Sequence, residues 1–137
     1  FKGVKMFPNT TKVLVVDDMM TMRKVVIKVC KELGFTNIKD AADGELAWNI
    51  LNETNPPIEL IISDWNMPNC TGLEFLKRVR ADEKFKKTPF LLVTAEAEQD
   101  QIIEAVKSGV DQYVIKPFSA GTLKTKLEIV FKKYNKA

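Results

Sequence analysis

The segment Leu60-Ile61-Ile62-Ser63-Asp64-Trp65-Asn66-Met67-Pro68 joins an unbroken apolar run to an acid and then to a proline. The run Leu60–Ile62 shows no polar alternation, which suits a strand buried on both faces of a parallel sheet. It ends in Asp64, and Pro68 marks a loop. A carboxylate at the end of a buried strand is costly unless a cation meets it. The surrounding sequence has to supply that cation.

Working outward, Pro89 introduces a similar run, Phe90–Val93, ending in Thr94, and Tyr113–Ile115 ends in Lys116-Pro117. Upstream, Val13–Val16 ends in Asp17-Asp18, and Ile38–Ala41 is a weaker strand ending in small residues. Between these runs apolar residues recur at helical spacing. Met22, Val25, Val26, Val29, Cys30 and Leu33 form the first such stripe, stopped by Gly34. Leu46, Ala47, Ile50 and Leu51 follow a capping Asp43, and Thr71 and Glu74 have capping-box spacing before Leu73, Leu76 and Val79. Ile102, Ile103 and Val106 mark a short helix closed by Gly109, and Ser119 caps a last helix carrying Leu123, Leu127, Val130 and Phe131. Strands alternating with helices through short connections predict an α/β fold with right-handed crossovers, a doubly wound parallel five-stranded sheet. The flavodoxin-like (βα)5 order 2-1-3-4-5 makes the first and third strands neighbours at the switch point, where such sheets bind ligands.

Bulk composition narrows the function. The 137 residues are 45% hydrophobic and 28% charged, as in a globular domain of ordinary size. No apolar run reaches the length of a membrane span, and the start lacks the apolar core of a secretion signal. Histidine is absent, which excludes Ser-His-Asp and Cys-His catalysis and every His-ligated metal site. The net charge of +3 is modest, and the lysines at 84–87 and 124–136 carry no aromatic or recognition-helix pattern, so nucleic acid is not an expected partner. Two cysteines are too few for a disulfide framework and fit a reduced, cytoplasmic compartment. Cys30 reads as core, and Cys70, in the loop after the central strand, as exposed.

In the expected topology Asp17, Asp18 and Asp64 share one crevice, with Thr94 and Lys116 reaching in from the next two strands. Three carboxylates there repel one another and raise their pKa values unless cations neutralise them. Lys116 offsets one. An oxygen-preferring divalent ion suits the remainder, and Mg2+ keeping several waters fits so few protein ligands. Metal, lysine and hydroxyl around a carboxylate make a phosphoryl site, with Asp64 as nucleophile, Thr94 donating a hydrogen bond and Lys116 holding phosphoryl oxygens.

The strings Val15-Val16-Asp17-Asp18, Ser63-Asp64-Trp65-Asn66-Met67-Pro68, Val93-Thr94-Ala95-Glu96-Ala97 and Lys116-Pro117-Phe118 resemble the motif blocks of response-regulator receiver domains, especially their chemotaxis branch. The resemblance runs from about Lys12 to Lys133. It implies an N-terminal extension over residues 1–11 and a single receiver domain over 12–137. It further implies a phosphoacceptor signalling protein of a two-component system rather than an enzyme, catalysing only its own phosphotransfer and dephosphorylation. Asp64 would receive the phosphoryl group from a phosphohistidine on a sensor histidine kinase. The Mg2+ ligands would be Asp18, Asp64 and the backbone carbonyl of Asn66, with Asp17 acting through water. Asn66 and Glu96 would tune dephosphorylation, Thr94 and Tyr113 would switch, and Lys116-Pro117 would be cis. The implied partners are the kinase, a downstream protein such as the flagellar motor switch, and a phosphatase. Met19-Met20, Cys70 before Thr71-Gly72, and Glu98-Gln99 depart from the pattern, the last weakening the case for a standard motor surface. Two other readings compete: a phosphatase with an aspartyl nucleophile, and a flavin or nucleotide carrier. The first usually adds a cap domain and an Asp-x-Asp arrangement, and the second a Gly- or Ser/Thr-rich phosphate loop. Neither feature occurs in the chain.

Overall fold

A computed structural model describes residues 6–95 and 98–135. Its elements are β1 (Lys12–Val16), α1 (Met20–Glu32), β2 (Asn37–Ala41), α2 (Gly44–Glu53), β3 (Leu60–Asp64), α3 (Gly72–Ala81), β4 (Phe90–Thr94), α4 (Gln99–Lys107), β5 (Gln112–Ile115) and α5 (Ala120–Tyr134). The strands form one parallel sheet in the order β2-β1-β3-β4-β5, the flavodoxin-like arrangement. The apolar runs are explained by where they sit. Every residue of β3 and β4 is buried, whereas the edge strand β2 is largely exposed.

Alternate strand residues feed two cores. Leu14, Val16, Ile61, Phe90 and Leu92 face α2 and α3, packing with Leu51, Phe75 and Leu76. Val13, Val15, Leu60, Ile62, Leu91, Val93 and Val114 face α1 and α5, packing with Val26, Cys30, Leu123 and Leu127. Residues before β1 join the second core: Phe7 is buried and meets Phe131 edge-on at 5.2 Å.

Local signals operate as their chemistry requires. Gly34 and Gly109 adopt φ of +104° and +98° just after α1 and α4, a backbone conformation that disfavours a β-carbon. The Thr71–Glu74 capping box is formed in both directions, and Asp43 and Ser119 cap α2 and α5. The Lys116-Pro117 bond is cis, and so is Asn55-Pro56.

The exposure expected of Cys70 is corrected. Cys70 is 6% exposed because the start of α2 lies on it: a β-carbon added at Gly44 would stand 2.5 Å from the Cys70 Sγ. Burial is the largest cause raising both thiols, and it carries Cys30 up to about 12.

Candidate functional site

Strand register assembles the site. Val16 pairs with Ser63, so the next residues on β1 and β3, Asp17 and Asp64, emerge side by side. Asp64 pairs with Val93 and Thr94 with Ile115, so Thr94 and Lys116 follow at the same sheet edge. The Lys116 N–H donates to the Thr94 carbonyl at 2.8 Å, continuing the ladder one residue past β5. From there the side chain reaches across β4, and its Nζ lies 3.2 Å from Asp64 Oδ1.

The acids converge as expected. Carboxylate oxygens of Asp17, Asp18 and Asp64 lie within 4.8 Å of one another. Asp17 and Asp64 are buried and Asp18 is exposed. Burial is the main cause raising the Asp17 carboxyl, opposed by the Met19 N–H bond and the Lys116 charge. Burial likewise raises Asp64, the neighbouring Asp17 charge adds to it, and Lys116 pulls the other way. Asp17 Oδ1 accepts the Met19 N–H at 2.9 Å, but its Oδ2 is buried without a hydrogen-bond partner.

A buried carboxylate oxygen left without a donor, with two further carboxylates within reach, fits a hard cation that prefers oxygen ligands. Lys116 pairs with one of the three acids, and the nearby Arg23 charge is already matched by Asp40. The remaining excess of negative charge is a property of the described residues, and a divalent ion would cancel it.

Other expected site residues are placed less directly. Thr94 is 3% exposed at the end of β4. Asn66 is exposed in the loop straight after Trp65, which is itself buried. Tyr113 pairs with Leu92, two residues short of Thr94, and is half-buried with Lys126 Nζ 5.1 Å from its ring centroid. Glu96 lies outside the described residues. The loop after β3 is fixed by Gly72, whose N–H donates to the Trp65 carbonyl at 2.8 Å. A β-carbon there would collide with the Asp64 carbonyl oxygen, so glycine lets α3 begin against the strand end.

One residue escapes the sequence reading. Arg23, in the second turn of α1, donates from Nη1 to the Asp17 carbonyl at 2.7 Å and from Nε to Asp40 Oδ2 at 2.8 Å. A cation six residues after an acid pair is a weak signal, since nothing in the sequence shows that its partner is a carbonyl.

The chain matches known proteins in sequence and in fold. The family model described as the response regulator receiver domain matches residues 13–128. The chemotaxis protein CheY of Pseudomonas aeruginosa is 48% identical over 124 residues, covering 90% of this chain and 98% of that protein. A high-resolution structure of Vibrio cholerae CheY4, crystallised at low pH, superposes with a TM-score of 0.81 at 36% identity, covering 88% of this chain and 98% of that one. The receiver domain of a Pseudomonas aeruginosa sensor histidine kinase, with a magnesium ion coordinated in its active-site cleft, shares the fold at a TM-score of 0.78 and 24% identity, covering 89% of this chain and 98% of that one.

Proposed function

The chain belongs to the response regulator receiver domain family, and we propose that it is a phosphorylation-dependent switch in which Asp64 is the phosphoacceptor. One observation carries the reading: a buried carboxylate held by Lys116 at 3.2 Å beside two further acids, one with an oxygen that has no donor. In this reading Lys116 holds Oδ1 of Asp64, and the other carboxylate oxygen is the one that attacks phosphorus. The new O–P bond forms as the P–N bond of a phosphohistidine breaks, and the bonding pair stays on the imidazole nitrogen. Lys116 and the Thr94 hydroxyl would then hold phosphoryl oxygens, exchanging a contact with Asp64 for one with the added group.

Asp17, Asp18, Asp64 and the Asn66 carbonyl would hold Mg2+, which supplies positive charge to the phosphoryl oxygens as they close on the acids. The magnesium in the cleft of the histidine-kinase receiver domain supports this assignment. Residues 12–137 would work as one receiver unit, signalling rather than turning over a substrate. Asn66 and Glu96 would set how fast water removes the group.

The signal would leave by binding. Ile103 and Val106 on α4 and Ile115 on β5 are 44, 60 and 44% exposed, and Ile115 lies two residues after Tyr113 on β5. Movement of Thr94 toward the phosphoryl group, followed by Tyr113, would change this face and bias a two-state equilibrium toward a partner. The relatives' chemotaxis names favour a sensor histidine kinase as donor and a flagellar motor protein as target, in the cytoplasm, with a phosphatase to reset the switch. No described helix is long and apolar enough to cross a membrane.

The test uses acetyl phosphate or beryllofluoride with Mg2+, followed through the fluorescence of buried Trp65. A metal-dependent change is expected, and Asp64→Asn abolishes it. No change in the wild type would overturn the reading, and sustained hydrolysis of a small phosphomonoester would favour the phosphatase instead. Lys116→Ala should still accept some phosphoryl group but fail to switch; full partner binding by that phosphorylated variant would refute its role.

A further inference from the structure

We infer that Arg23 is a positioning residue for the metal-binding acids, acting through the peptide that joins Asp17 to Asp18. The inference rests on the phosphoacceptor reading and adds a residue that reading does not use. The backbone of Asp17 is held from two sides. Its N–H donates to the Ala41 carbonyl of β2 at 3.1 Å, and its carbonyl accepts Arg23 Nη1 at 2.7 Å. Arg23 is itself aimed by Asp40, the residue before Ala41 on β2, through Nε at 2.8 Å. Its side chain is 15% exposed, so the guanidinium is enclosed where it makes these two bonds.

Asp17 is the last residue whose N–H continues the β1 ladder, and its carbonyl belongs to the peptide that begins the turn into α1. The orientation of that peptide decides where the Asp18 carboxylate points relative to those of Asp17 and Asp64. A charge-assisted bond to the carbonyl from a group anchored on β2 fixes that orientation. The forked guanidinium can bond a carbonyl and a carboxylate at once, which a lysine ammonium cannot do in the same geometry. Groups one layer behind metal ligands typically change metal affinity 10- to 100-fold when removed.

Charge and position make opposite predictions here. Arg23 is a cation beside a site for a cation, so if its charge were all that mattered, neutralising it would tighten Mg2+ binding. If it positions the acids, neutralising it weakens binding, and Arg23→Lys weakens it as well although the charge is kept.

The experiment is calorimetric titration of the whole chain with MgCl2 for the wild type, Arg23→Lys, Arg23→Gln, Asp40→Asn and the Arg23→Gln/Asp40→Asn double variant. Thermal melts in EDTA confirm that each is folded. Arg23→Lys and Arg23→Gln should bind at least about tenfold more weakly. The double variant should match Arg23→Gln alone, because Asp40 acts through Arg23. In the metal-free state the Met19 amide, bonded to Asp17 Oδ1 at 2.9 Å, should exchange its hydrogen faster in Arg23→Gln than in the wild type. Equal or tighter Mg2+ binding by Arg23→Lys and Arg23→Gln overturns the inference while leaving the phosphoacceptor reading intact. Failure of the wild type to bind Mg2+ overturns that reading itself. A variant that fails to fold is replaced by Arg23→Met, which keeps the stem packed and removes both hydrogen bonds.

Discussion

Replacing the Asp64 carboxylate by its amide should stabilise the metal-free protein. Asp64 is pulled by Lys116 at 3.2 Å, an attraction of about 5 kcal/mol at an effective dielectric of about 20. Oxygens of Asp17 and Asp64 within 4.8 Å repel by about 3.5 kcal/mol on the same footing. Asp18 is exposed, and water screens its share to about 1 kcal/mol. The remainder is less than about 1 kcal/mol in favour of the charge, while removing a carboxylate from water costs several kcal/mol. Asp64→Asn relieves that cost but leaves Lys116 to find another oxygen. The net gain is on the order of 1 kcal/mol, or about 3–5 °C in melting temperature for a chain of this size.

The sign with pH follows from the direction of the shifts. Burial raises the carboxyls of Asp17 and Asp64, so the folded chain keeps their protons to higher pH than the unfolded chain does. The penalty is absent below the ordinary carboxylate range and develops as pH rises from there through the raised values. The advantage of Asp64→Asn should therefore be present near neutrality in EDTA and vanish near about pH 3. Saturating Mg2+ reverses the order, since ligand at 100 times its dissociation constant adds about 2.7 kcal/mol to the wild type. Differential scanning calorimetry in EDTA and in MgCl2 across this pH range measures all three. An Asp64→Asn protein that melts below the wild type in EDTA near neutrality would refute the electrostatic reasoning, as would a gap that persists in acid.

Gly72→Ala drives a methyl into the Asp64 carbonyl, the Leu92 side chain and the Trp65 backbone, and should lower stability by about 1–3 kcal/mol in urea unfolding with little change in slope. Arg80→Ala removes the donors that Arg80 gives Asp111 and the carbonyls of Thr88 and Gly109 while Lys133 still meets Asp111, and should destabilise by about 1–3 kcal/mol while leaving Mg2+ affinity unchanged; a shift in that affinity would contradict the separation of the two ends of the sheet. Cys30 and Cys70 are both buried with raised thiols, so Ellman's reagent should modify them only as fast as the chain opens; reaction of Cys70 in the native state at the unfolded rate would contradict its packing under Gly44.

The site was legible because a parallel sheet converts strand endings into a place. Runs such as Leu60–Ile62 and Phe90–Val93 are apolar throughout because both faces are covered, so the polar residues that close each strand, Asp64 and Thr94, mark the edge where ligands bind. What the sequence conceals is contact made through groups with no side-chain signature. Arg23 bonds a backbone carbonyl, and its other partner sits on β2, whose exposure weakens the pattern that would locate it. Cys70 is covered by Gly44, the first residue of α2, and adjacency between the start of that helix and the loop after β3 appears only once strand order is fixed. The partners of Asp111 lie 21 to 31 residues away on separate elements, too far for any local pattern.

Asp111 and Asp64 show how one residue type serves two ends. Asp111 precedes β5 at the sheet edge opposite the acids, and each of its oxygens is met by donors: Arg80 Nη2 at 3.0 Å, the Phe90 N–H at 2.8 Å, Lys133 Nζ at 2.6 Å and the Tyr134 hydroxyl at 2.9 Å. That knot joins the end of α3, the start of β4 and the end of α5, and the hydroxyl of Tyr134, partly desolvated and set against the Asp111 charge, is pushed up to about 12. A carboxylate so fully matched has no capacity for a further ligand; it fixes helices. At the other edge Lys116 contacts one oxygen of Asp64, and Asp17 keeps an oxygen with no donor. A carboxylate left short of donors in a buried place is tolerable only if something cationic completes it. The rigidity of the first end makes the second useful, because a cluster of like charges free to spread apart would relax instead of waiting for its ligand.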